Sequence, residues 1–167
     1  EPTSPLKANW DVKLNMQQAM VDCGVRLENL CGSIRLMGES EDGRVRSRGE
    51  VALDSLTYKN LQVTEILGPM WFDNGRVLFG AWAEPKANVG KVPRRLTGKI
   101  FGGLLMGDCQ ITLGPQTKYL VAASLTDAKL AQFARENMPG KQKLNGKVAG
   151  NVQFQGEAGG LHEGGEL

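Results

Sequence analysis

The chain is poor in the residues that carry chemistry. It has one histidine and three cysteines in 167 residues. The histidine, His162, sits in a glycine-rich tail, so no Ser-His-Asp or Cys-His arrangement is within reach of a plausible fold. Cys23, Cys31 and Cys109 are an odd number at no metal-ligand spacing, which disfavours a zinc centre and sets no redox compartment. Cys23 and Cys31 face each other across a hairpin if the segment is periplasmic or secreted; otherwise they are buried free thiols. No run approaches the roughly 18 apolar residues of a membrane-spanning helix. The opening Glu1-Pro2-Thr3-Ser4-Pro5 is neither an initiator Met nor a signal peptide, so the chain reads as an excised piece. Charge is also scarce in net terms. Twenty Lys and Arg against 18 Asp and Glu leave +2, spread without a concentrated patch, so nucleic acid is not an expected partner.

What the chain does have is glycine, 22 residues or about 13%, against an average near 7%. With 41% apolar and 23% charged residues it is an ordinary globular composition, without the Gly-X-Y period of collagen. Such glycine density penalises helices and suits turns, bulges and short strands. The length fits one domain with a core of its own.

Alternation with period two runs through most of the sequence. Trp10, Val12, Leu14 and Met16 share one face of a first strand, and Asp22-Cys23-Gly24 makes a turn. Residues 25–30 and then 33–37, introduced by Gly32, continue extended, with Ile34 and Leu36 on the apolar side. Glu41-Asp42-Gly43 turns into residues 44–53, where Arg44, Arg46 and Arg48 oppose Val51 and Leu53. Residues 61–64 form the next strand, Gly68-Pro69 and Asp73-Asn74-Gly75 break it, and residues 76–82 follow with Val77 and Phe79. Residues 84–95 read as a loop, and 96–100, 109–113 (Ile111, Leu113), 119–125 and 144–154 (Val148, Val152, Phe154) as strands.

One segment argues for a helix, 127–137, where Leu130, Phe133 and Ala134 recur at helical spacing. Thr126 or Asp127 is the expected cap and Pro139-Gly140 the stop. The expected fold is therefore mainly β: a curved antiparallel meander forming a groove or half-open barrel. Residues 1–9 are a flexible start, 10–155 the sheet domain with its helix, and 156–167 a glycine-rich frayed or truncated end.

Leu30-Cys31-Gly32-Ser33-Ile34, Leu96-Thr97-Gly98-Lys99-Ile100 and Leu144-Asn145-Gly146-Lys147-Val148 share the pattern Leu-x-Gly-x-[Ile/Val]. Their spacing is too irregular for a solenoid, and glycine at strand starts suggests hinges that curve a sheet. Other motifs dissolve on inspection. Gly98-Lys99-Ile100-Phe101-Gly102-Gly103 lacks the Gly-Lys-Ser/Thr ending of a phosphate loop, Glu39, Glu41 and Asp42 lack EF-hand spacing, and the aspartates are scattered. No cofactor is implied. The Arg44, Arg46, Arg48 stripe reads as a solvated face guarding against mispairing ahead of a seat for anionic head groups.

The segment 119–125, then Asp127-Ala128-Lys129-Leu130, Leu144-Asn145-Gly146-Lys147-Val148-Ala149-Gly150 and Gly156, resembles the C-terminal part of AsmA-like proteins of the Gram-negative envelope. The strand at Trp10, the Leu30-Cys31-Gly32 strand and Leu53-Asp54-Ser55-Leu56 resemble repeats of that family's β-groove. The motifs are glycine and apolar spacing rather than catalytic residues, and they cover roughly residues 10 to 160. The resemblance implies a taco-shaped sheet with an apolar concave face, phospholipid or another acyl lipid as its partner, and neighbouring groove repeats of the same chain pairing at its edges. It implies a periplasmic place in a protein anchored in the inner membrane, and a role in lipid transfer and outer-membrane biogenesis without catalysis. The groove candidates are Trp10, Val12, Leu14, Ile34, Leu36, Val51, Leu53, Val77, Phe79, Ile111, Leu113, Val148, Val152 and Phe154. The alternative is a structural or adhesive β-module with a sealed core, in which the same residues are plain packing.

Overall fold

The computed structural model describes residues 7–22, 25–84, 92–138, 140 and 144–159. Among these described residues nine strands form one antiparallel sheet: β1 (Lys7–Asp22), β2 (Arg26–Glu41), β3 (Arg44–Tyr58), β4 (Leu61–Asp73), β5 (Arg76–Phe79), β6 (Leu96–Ile100), β7 (Gly103–Thr112), β8 (Gln116–Lys129) and β9 (Lys147–Gly159). Each strand pairs with its sequence neighbour except around β5 and β6. Both of these lie between β4 and β7, so they are two pieces of one interrupted strand. The sheet thus has eight strand positions in meander order, with β1 and β9 as its edges.

Turn chemistry sets the meander. Asp42-Gly43, Asn74-Gly75 and Phe101-Gly102 each place two successive residues at positive φ, the backbone that matches a hairpin's twist. The Gly98–Gly103 segment therefore makes a hairpin, not a phosphate loop.

Several boundaries differ from the sequence expectations, each for a local reason. The two extended segments of residues 25–37 are one strand, β2, carried past Gly32 by a bulge between Glu28 and Cys31. Gly68-Pro69 does not break β4, which runs through it to Asp73. Residues Gly80–Ala83 leave the sheet as a 3-10 turn instead of extending β5. The first strand begins at Lys7, and β9 reaches Gly159, inside the spans read as flexible start and frayed end. His162, Cys23 and Pro139 lie outside the described residues, and so does the Cys23–Cys31 pairing; Cys31 is a free thiol whose sulfur accepts the Gln18 N–H at 3.5 Å.

The helix, α1, spans Leu130–Asn137 and lacks the expected side-chain cap. Thr126 and Asp127 remain in β8, where Asp127 sits in a bulge at φ 57° and its carboxylate accepts from Lys147 Nζ at 2.8 Å. The Gly146 carbonyl accepts the Leu130 N–H instead. Phe133 packs edge-on against Phe101 of the β6–β7 turn, centroids 5.2 Å apart, so α1 covers the end of the sheet and not its face.

Curvature has two visible sources. Directly paired residues share a face, so the register defines rows running across all strands. Gly38, Gly49, Gly68 and Gly98 occupy four successive strand positions, each one row further on, and form a diagonal of missing side chains on one face. A Cβ would collide with Trp10 and Ser47 at Gly38, with Arg35 O and Leu36 at Gly49, and with Leu96 at Gly68, where the nearest atom is 2.9 Å away. The chain closes tightly over this line. Toward the α1 end, bulges in β1, β2, β4 and β8 carry Gln18, Asn29, Glu65 and Asp127 at positive φ and add local twist.

Candidate functional site: an apolar concave face

One row reads Trp10, Gly38, Ser47, Phe72, Val77, Ile111, Tyr119, Gly156, and the next Val12, Leu36, Gly49, Met70, Phe79, Cys109, Val121, Phe154. The row beyond starts at Leu14, Ile34 and Val51 and ends at Gly107, Ala123 and Val152. Ser47, buried, is the one clearly polar member apart from the Tyr119 hydroxyl. Thirteen of the fourteen candidates stand in strands on this face, and Leu113 lies just past the end of β7.

Burial divides them. Val51 and Leu53 are 5% and 6% exposed and form the core with Leu30 and Ile66. Trp10, Ile34, Leu36, Val77, Phe79 and Ile111 are half-buried. Leu14, Val152 and Phe154 are 50%, 54% and 48% exposed, and Val12, Leu113 and Val148 are exposed too. Val51 and Leu53 are therefore packing residues, shielded from any ligand in this conformation. The openly accessible candidates are Val12 and Leu14 of β1, Val148, Val152 and Phe154 of β9, and Leu113.

Where the sheet curls, an apolar pocket of about 190 Å³ opens on this face. Its lining includes Leu56, Val63 and Ile66 from β3 and β4, Leu96 and Gly98 from β6, Leu105, Gly107 and Cys109 from β7, and Val121 and Ala123 from β8. None of the fourteen candidates lines it. The pocket exists because Gly98, Gly107 and Ala123 leave room where neighbouring rows carry leucine or valine.

The opposite face carries a lattice of charge, among which Met37 and Leu67 are exposed. Arg35 pairs with Asp11 at 2.6 Å, Lys99 with Glu65 at 2.7 Å and Lys118 with Glu157 at 3.0 Å, and Lys7 pairs with Glu41. Of the arginine stripe, Arg46 lies 4.0 Å from Asp73 and Arg48 covers the Trp71 ring at 5.1 Å. The guanidinium of Arg35 holds the Asp11 carboxyl below the usual carboxylate range, and the Lys7 ammonium does the same for Glu41. Such exposed pairs each contribute little to stability.

Among the described residues no helix is long and apolar enough to cross a membrane, and no group of three or more His, Cys, Asp or Glu side chains is placed to hold a metal ion. Comparison with protein-family models, with curated proteins and with solved structures finds no match.

Proposed function

We propose that the chain is a non-enzymatic lipid-binding or lipid-transfer module of a cell-envelope protein of AsmA-like type, which holds acyl chains of a phospholipid or related lipid against its concave face. The observation that carries this reading is the difference between the faces: a curved, single-layered sheet, apolar on one side across all eight strand positions, and on the other a lattice of ion pairs in which Met37 and Leu67 also stand exposed, with the apolar side still open on β1 and β9. Among the described residues the only α-helix caps an end, so no helical layer covers that side. Acyl chains would do so without directional contacts, each buried methylene contributing on the order of 0.8 kcal/mol. In the same reading the module works in the periplasm, and neighbouring repeats extend its sheet at the two edges. The sealed-core alternative has less support, because it needs Leu14, Val152 and Phe154 covered by protein.

Native mass spectrometry of gently purified protein, with photo-crosslinkers at Leu14 and Val152 and a control at Lys13 on the polar face, tests the proposal. Co-purifying phospholipid, and acyl adducts at Leu14 and Val152 but not at Lys13, are expected. Protein free of lipid, or equal labelling of both faces, would sink it.

A further inference from the structure

The interrupted strand is held together by a buried charge. Phe79 pairs with Cys109 and Leu96 with Gly107, so a single residue of β7, Asp108, faces the break where the chain leaves the sheet and returns. Asp108 is 7% exposed. Its Oδ1 accepts the Ala81 N–H at 2.7 Å from the departing stem, and its Oδ2 accepts from Arg95 Nε at 2.8 Å on the returning stem. Arg95 also donates to the Ala122 carbonyl at 3.3 Å. Gly80, at φ 72°, has no room for a Cβ beside the Asp108 carboxylate. On the far side of the break β4 presents Pro69, which has no N–H to leave unpaired. Arg94 ties the same stems outward, to Glu84 at 3.0 Å and to Glu50 of β3 at 2.5 Å.

Asp108 is itself among the residues lining the apolar pocket, with Gly107 and Cys109 on either side of it and Leu96 next to Arg95. We propose that Asp108 and Arg95 form a latch that couples the two stems of the break, at Ala81 and at Arg95, to the floor of the apolar pocket, so that its release changes which acyl chains the pocket accepts. The residues act by position, through Leu96 and Gly107. The part concerning acyl chains rests on the function proposed above; the latch itself does not.

The test combines Asp108→Asn and Arg95→Met with amide hydrogen exchange and with binding of fluorescent fatty acids of increasing chain length. Asn keeps an acceptor for Ala81 but loses the ion pair, and Arg95→Met, at a less buried site, keeps the experiment informative if the first variant folds poorly. Exchange at Ala81 and Leu96 should rise about tenfold or more in either variant while β1–β3 keep their protection. The chain-length profile should shift, and the double variant should add little to either single one. Unchanged exchange at Ala81 and Leu96 overturns the latch. Raised exchange with an unaltered chain-length profile overturns its coupling to the pocket. A wild-type chain that binds no probe overturns the lipid reading instead, while the exchange result still decides the latch.

Discussion

The centre and the edges of this sheet carry the same kind of side chain on the same face, yet they differ in what covers it. Val51 on β3 packs with Leu30, Leu53 and Ile66, whereas Val152 on β9, in the same row, stands open. Both are valines in an alternating strand, so side-chain type does not separate them. Position relative to the glycine diagonal does: Gly68 is paired directly with Val51 and Gly49 stands in the next row, and the adjoining chain lies tight against both glycines. Beyond that line the curvature brings no opposing wall. The centre therefore stabilises the fold, while the edges retain apolar surface for a ligand or a neighbouring strand.

Aspartate substitutions should give the widest separation of the two regions. Val51→Asp places an unpaired carboxylate in the core and should cost about 3–5 kcal/mol, enough to unfold a marginal domain, as read by urea denaturation. Val152→Asp should change stability by less than about 1 kcal/mol and instead weaken acyl-probe binding, with Val152→Leu retaining it. Equal destabilisation by both aspartates would show that β9 is part of the core and remove the distinction.

Glycine substitutions should produce a smaller effect. Gly49→Ala drives a methyl into the Arg35 carbonyl and should cost about 1–3 kcal/mol. At Gly150 a Cβ meets nothing within 4 Å, so Gly150→Ala should be neutral or stabilise by up to about 1 kcal/mol. Matching urea midpoints for the two variants would mean that the diagonal does not set the curvature.

Alternation was enough to read the fold class, because a period of two states both the strand and its face. That is why residues as far apart as Trp10 and Phe154 could be assigned to one surface. Register was not readable, and the site depends on it. Gly38, Gly49, Gly68 and Gly98 have no common spacing along the chain and become a line only after pairing. The pocket was missed for the same reason, since Gly98, Gly107 and Ala123 are unremarkable until three strands bring them together. Of the Leu-x-Gly glycines, Gly32 and Gly146 do adopt positive φ, 129° and 122°, while Gly98 instead supplies close packing under Val63. Gly68-Pro69 did mark a discontinuity, but in the strand beside it.

The smallest expected effect separates the two regions by charge. Asp11 pairs with Arg35 and Glu41 with Lys7 on the β1–β2 edge, and Asp127 with Lys147 on the β8–β9 edge; each partner cation holds the carboxyl below its ordinary range. A carboxyl depressed in the folded state contributes stability above its unfolded pKa and loses it as pH falls through the folded value. Acidification below the ordinary carboxylate range should therefore loosen the edges before the centre, and high salt at neutral pH should do so more weakly. Amide exchange in β1 and β9 should rise at low pH while β3 around Val51 and Leu53 stays protected, because that core is packed by the apolar side chains of Leu30, Val51, Leu53 and Ile66. If β3 opens together with β1, packing does not separate centre from edge, and the sheet responds to acid as one cooperative unit.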